Sequence, residues 1–74
     1  MRYLMFIRSA QNVDDFIDLV GDCVATSALE AVEEMFPDPE GSIKTRWYIH
    51  RLHDAASVCR SARFGTVLAV RFRD

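Results

Sequence analysis

Two histidines and two cysteines are the side chains best suited to hold a metal or attack a carbonyl: His50, His53, Cys23 and Cys59. Four such ligands suffice for a tetrahedral zinc site. Their spacing argues against one. His50 and His53 lie three apart in KTRWYIHRLH, which reads as a strand, and residues three apart on a strand point to opposite faces. There is no Cys-x-x-Cys pair to anchor an ion. No feature orients either thiol toward an imidazole, as nucleophilic catalysis requires. Gly21, Gly41 and Gly65 are isolated, so no glycine-rich phosphate loop exists. The carboxylates Asp14, Asp15, Asp18 and Asp22 lack the spacing and closing glutamate of a calcium loop. The expectation is a protein without catalytic residues, metal or cofactor.

Two sets of residues are better suited to binding a partner. One is the acidic run Asp14, Asp15, Asp18 and Asp22. Carboxylates spaced along a surface can fill a groove that normally holds phosphates, meeting the lysines and arginines that line it. The other is the basic-aromatic set Arg46, Trp47, Tyr48, His50 and Arg51. Aromatic and guanidinium groups interleaved on a sheet are how several modules stack single-stranded bases. The wider charge pattern repeats this division. Residues 1–43 set two arginines against nine carboxylates, a net −7, and residues 44–74 set seven cations against two carboxylates, a net +5. If the halves form different faces, the surface is dipolar and favours electrostatic partners.

The elements that position these residues come from periodicity. RYLMFIR at 2–8 is apolar on both parities and reads as a central strand. Residues 13–25 carry a helical stripe of Val13, Phe16, Ile17, Val20 and Val24, but they also alternate as a strand and contain Gly21-Asp22. A strand near 16–25 is preferred, because Ser27-Ala-Leu-Glu30 is a capping box and an N-cap residue breaks any helix entering it. The helix it opens, about 27–36, buries Ala28, Leu29, Ala31, Val32, Met35 and Phe36 and stops at Pro37 and Pro39. A turn follows at 38–42, then a strand at 44–53. Ala55, Val58, Cys59 and Ala62 fall at helical spacing between Asp54 and Gly65, which predicts a short helix over about 54–64. TVLAVRFR at 66–73 closes the chain as a strand. The reading is one α+β domain over 1–74: a three- to four-stranded, mostly antiparallel sheet with both helices on one face.

Seventy-four residues make one domain. Two cysteines are too few to staple a secreted mini-protein, and no secretory signal or membrane-spanning run is visible. A reduced, cytoplasmic protein is expected, in a host cytoplasm if the chain is phage-encoded. Strand composition adds a further constraint. Tyr3, Met5 and Ile7 compete with Leu4 and Phe6, and Val67 and Ala69 compete with Leu68, Val70 and Phe72. Two short helices cannot shelter both faces of such a sheet. The surplus is expected to be buried against another protein or a second copy, unless the acidic segment 10–25 folds over it.

A strand ending near Gln11-Asn12, a second extended stretch, Ala25-Thr26-Ser27 leading into an alanine-rich helix, and then an aromatic strand together resemble small phage-encoded anti-CRISPR proteins that act on type I surveillance complexes. The resemblance spans roughly 1–52 and is one of layout. It implies a non-enzymatic inhibitor that binds effector subunits and obstructs DNA engagement. It carries over no contact residue, and a helix at 54–64 would depart from the all-strand second half of that pattern. The leading expectation is a protein-binding inhibitor of a host nucleic-acid-handling complex, with no membrane association. The alternatives are a sheet-surface nucleic-acid module and a structural homodimer.

Overall fold

Ser27 is where the chain turns from strand to helix. In the structure, a computed structural model that describes residues 1–8, 16–41 and 43–72, its hydroxyl accepts the Glu30 amide at 3.2 Å. The carboxylate of Glu30 does not return to the Ser27 amide; it takes the Thr26 hydroxyl at 2.6 Å. Helix α1 runs Ala28–Met35 and closes on a Phe36 amide bonded to the Val32 carbonyl, just before Pro37. Ala31 and Val32 form its buried stripe, flanked by Ala28, Met35 and Phe36. Leu29, expected in that stripe, is exposed. Replacing the cap, Ser27→Ala, should cost about 1 kcal/mol. Thermal melts by circular dichroism should show the midpoint falling by roughly 4–8 °C.

The remaining elements are strands: β1 Arg2–Arg8, β2 Phe16–Val24, β3 Tyr48–His53, β4 Ala56–Ser61 and β5 Gly65–Phe72. They form one sheet of order β2-β1-β5-β4-β3 in which every pairing is antiparallel. The reading of 2–8 as a central strand is correct, since β1 is hydrogen-bonded on both sides. The stretch 16–24 is the second strand, with the registers shifting twice along it. The α+β class is as expected, but the sheet has five strands and the described residues contain one helix.

The short helix predicted at 54–64 is absent, and the reason lies in the strand's neighbours. Residues 56–61 pair with β5 on one side and β3 on the other. A helix of three turns is marginal alone, whereas a strand inserted there satisfies its backbone on both edges. Asp54, read as a helix cap, lies in the β3–β4 turn. Gly65, read as a helix stop, sits at φ +78° and closes a three-residue hairpin turn. The strand predicted at 44–53 starts later. Residues 43–47 are irregular and tied to Asp38, whose carboxylate accepts the Thr45 amide at 2.7 Å, the Thr45 hydroxyl and Arg63.

Helix α1 lies on one face of the sheet. Tyr3 and Met5 of β1, Cys59 of β4 and Val67 and Ala69 of β5 point toward it and join Ala25, Ala31 and Val32 in the core. Phe36, Trp47 and Phe64 extend the packing as an aromatic cluster, with Trp47 and Phe64 stacked nearly parallel at 5.8 Å.

Candidate interaction surface

Residues directly opposite each other in a sheet share a face, so the pairings fix what the helix-free side presents. One row crosses all five strands as Leu19, Phe6, Leu68, Val58 and His50. The next reads Asp22, Leu4, Val70 and Ala56. These two rows place an apolar band across four strands, about 14 Å at the usual strand spacing. More polar rows bound it: Val24, Arg2 and Phe72 at one end, and Thr66, Arg60 and Tyr48 at the other. Val58 and Ala56 are buried, and Leu4, Phe6, Leu68 and Val70 are half-buried. Phe72 is 46% exposed and Leu19 58%. The apolar surplus expected from the strand composition lies on a face that carries no described helix. An apolar centre with a charged rim is the usual anatomy of a protein contact.

The residues singled out for binding do not gather at one place. Asp14 and Asp15 lie outside the described residues. Asp18 and Asp22 are on β2, one outer strand of the sheet, while Tyr48, His50 and Arg51 are on β3, the other. Four strand spacings, about 19 Å, separate them. Asp22 is engaged by Arg2 at 2.8 Å, and the Arg2 guanidinium stands 6.0 Å over the Phe72 ring. Arg46 precedes β3 and lies 5.5 Å over the Tyr48 ring. Tyr48 and His50 are on the open face; Arg51 is on the helix side, paired in solvent with Asp54 at 2.7 Å. Trp47 turns inward to the aromatic cluster and is a packing residue.

The groups that could have done chemistry are also apart. His50 is opposite Val58 on the open face, and Cys59 is buried on the helix face. His53 Nδ1 accepts the Ala55 amide at 3.2 Å. Among the described residues no three potential ligands cluster. Cys23 is pushed up first by burial, then by Glu34, Asp22 and Glu30. Burial pushes the Cys59 thiol up to about 11 from 9.0. Such a thiol is a poor nucleophile at neutral pH. The folded state holds this proton more tightly than the unfolded chain does. Its contribution is thus complete below about pH 9 and is lost as pH rises through about 11. Urea midpoints measured between pH 8 and 11 should fall more steeply for the native protein than for Cys59→Ala.

The residues β4 adds to the open face, Ala56 and Val58, were missed because their segment was read as a helix. Their alternation with Ser57 and Cys59 was the available signal. No helix among the described residues is long and apolar enough to cross a membrane. Among the described residues the architecture is that of an α+β protein with one antiparallel sheet and one helix. Comparison with protein-family models, with curated proteins and with solved structures finds no match to this chain.

Proposed function

We propose that this chain is a non-enzymatic protein-binding protein that docks another protein on the helix-free face of its sheet. The observation that carries this reading is the apolar band Leu19, Phe6, Leu68 and Val58 with its rim of Arg2, Asp22, Arg60 and His50. In a sheet protein a second face left to water should alternate to polar residues; this one does not. Leaving that area wet forgoes about 25 cal/mol for each Å² of apolar surface, a large sacrifice for a domain worth roughly 3–5 kcal/mol. A protein that carries such a face gains from a partner that covers it.

Photo-cross-linking in the native host tests this directly. A benzophenone amino acid at Leu19 or Phe72 should yield one defined adduct that the same probe at Glu33, on the helix, does not. Equal labelling from both sides, or none from the sheet, would remove the reading.

The finer proposal is that docking inhibits a host nucleic-acid-handling complex, as the anti-CRISPR resemblance implies. With 56–61 a strand, every described element after α1 is a strand, like the pattern behind that resemblance. Expression of the chain should then restore plaque formation by a phage targeted by a type I system; unchanged plating would sink this part alone. A second reading, single-stranded nucleic acid on the same face, draws on the arginines over Phe72 and Tyr48. It requires a gel shift that weakens steeply with salt. The aliphatic centre of the face favours protein.

A further inference from the structure

The two outer strands of the sheet are built differently. Strand β2 is interrupted by register shifts opposite Met5/Phe6 and Ile7/Arg8. Bulges of this kind twist an edge and protect it from pairing with another chain. Strand β3 keeps continuous register from Tyr48 to Arg51 and shifts only between Arg51 and His53. It has a strand neighbour on one side only among the described residues, and all six of its residues are exposed. Ile49 and Leu52 leave apolar surface beside that edge, 39% and 53% exposed. An edge of this kind is a template for an added strand.

The charges on β3 select what can add. Arg46 and Arg51 stand along it with one carboxylate, Asp54, and Arg60 faces Tyr48 from β4. A second copy pairing β3 against β3 would bring these arginines onto their own copies, and like charges across a strand pair are destabilising. A segment bearing carboxylates would instead match it.

We infer that β3 takes up an extended acidic segment of a partner protein as a sixth strand, with carboxylates and apolar side chains alternating along it. Main-chain bonds to the free edge hold the segment; its carboxylates lie on the helix side, toward Arg51, and its apolar side chains lie on the open face, beside Tyr48. The inference rests on the protein-binding reading but uses a different surface from the open face.

The test is titration of the ¹⁵N-labelled chain with a capped alternating glutamate–valine peptide, against a lysine–valine peptide of the same length. Amide shifts should centre on 48–53, weaken with added salt, and report binding about tenfold tighter for the glutamate peptide. Arg51→Glu, at an exposed position, should abolish or reverse the preference. Equal response to both peptides, shifts centred elsewhere, or shifts that follow protein concentration alone would each overturn the inference, the last by making the occupant a second copy. Loss of peptide binding with sheet-face cross-links intact would sink this inference and leave the proposed function standing. Loss of the cross-links alone would do the reverse.

Discussion

Met5→Ala is expected to leave most of the protein unfolded near 37 °C. Met5 is fully buried in β1, a strand with neighbours on both sides, and its side chain points toward α1. Its direct partners, Gly21 and Ala69, are small. That leaves Met5 to fill the space between sheet and helix. Removing its side chain opens a cavity that a glycine and an alanine cannot close. Methionine-to-alanine changes at such sites cost about 2–5 kcal/mol, comparable to the roughly 3–5 kcal/mol a domain of this size has. The melting midpoint should fall by on the order of 10–30 °C. Leu29→Ala is the control, since Leu29 sits on the outer side of α1 and is exposed. Its change should stay within about 0.5 kcal/mol. If Met5→Ala melts with Leu29→Ala, the helix does not cover the sheet as described. A bound partner would raise both midpoints by mass action, so the pair should be compared in isolation.

What could be read from the sequence follows from where the physics is local. The start of α1 was visible because one hydroxyl three residues from one amide defines a cap, and its end because Pro37 follows directly. Strand β1 was visible because both parities of 2–8 are apolar, which only a central strand tolerates. The failure at 54–64 was of another kind. Ala55, Val58, Cys59 and Ala62 satisfy a helical period, while Ala56 and Val58 against Ser57 and Cys59 satisfy a strand period. Which wins depends on β3 and β5 being there to pair, and no local window contains that information. The same limit applied to the surfaces. That the sheet carried too much apolar area could be inferred from composition. That Asp18 and Asp22 would lie on one outer strand and Tyr48, His50 and Arg51 on the other required the order β2-β1-β5-β4-β3. Nothing in the chain order announces it, because the first strand lies between the second and the last.

Trp47→Ala should separate a packing role from a contact role most cleanly. Read along the chain, Trp47 belongs to the same basic-aromatic set as Arg46, Tyr48, His50 and Arg51, or else to the core. In three dimensions it lies 5.9 Å from Phe36 and 5.8 Å from Phe64, joining the end of α1 to the β4–β5 turn. Removal of a fully buried tryptophan costs about 3–5 kcal/mol. Trp47 is half-buried, so about 2 kcal/mol is the better expectation, a fall of roughly 8–16 °C in midpoint. Arg51→Glu should behave in the opposite way. Its bond to Asp54 is between exposed groups, and exposed ion pairs contribute at most about 1 kcal/mol. The fold should survive that change while the glutamate–valine peptide is lost. Chemical denaturation and peptide titration on the two variants therefore give opposite patterns. Trp47→Ala should weaken folding but, below its melting point, still shift the β3 amides with peptide. Arg51→Glu should fold normally and show little shift. If Trp47→Ala instead folds like the native protein and loses the peptide, its ring belongs to the contact surface after all, and the aromatic cluster does not anchor the residues that lead into β3.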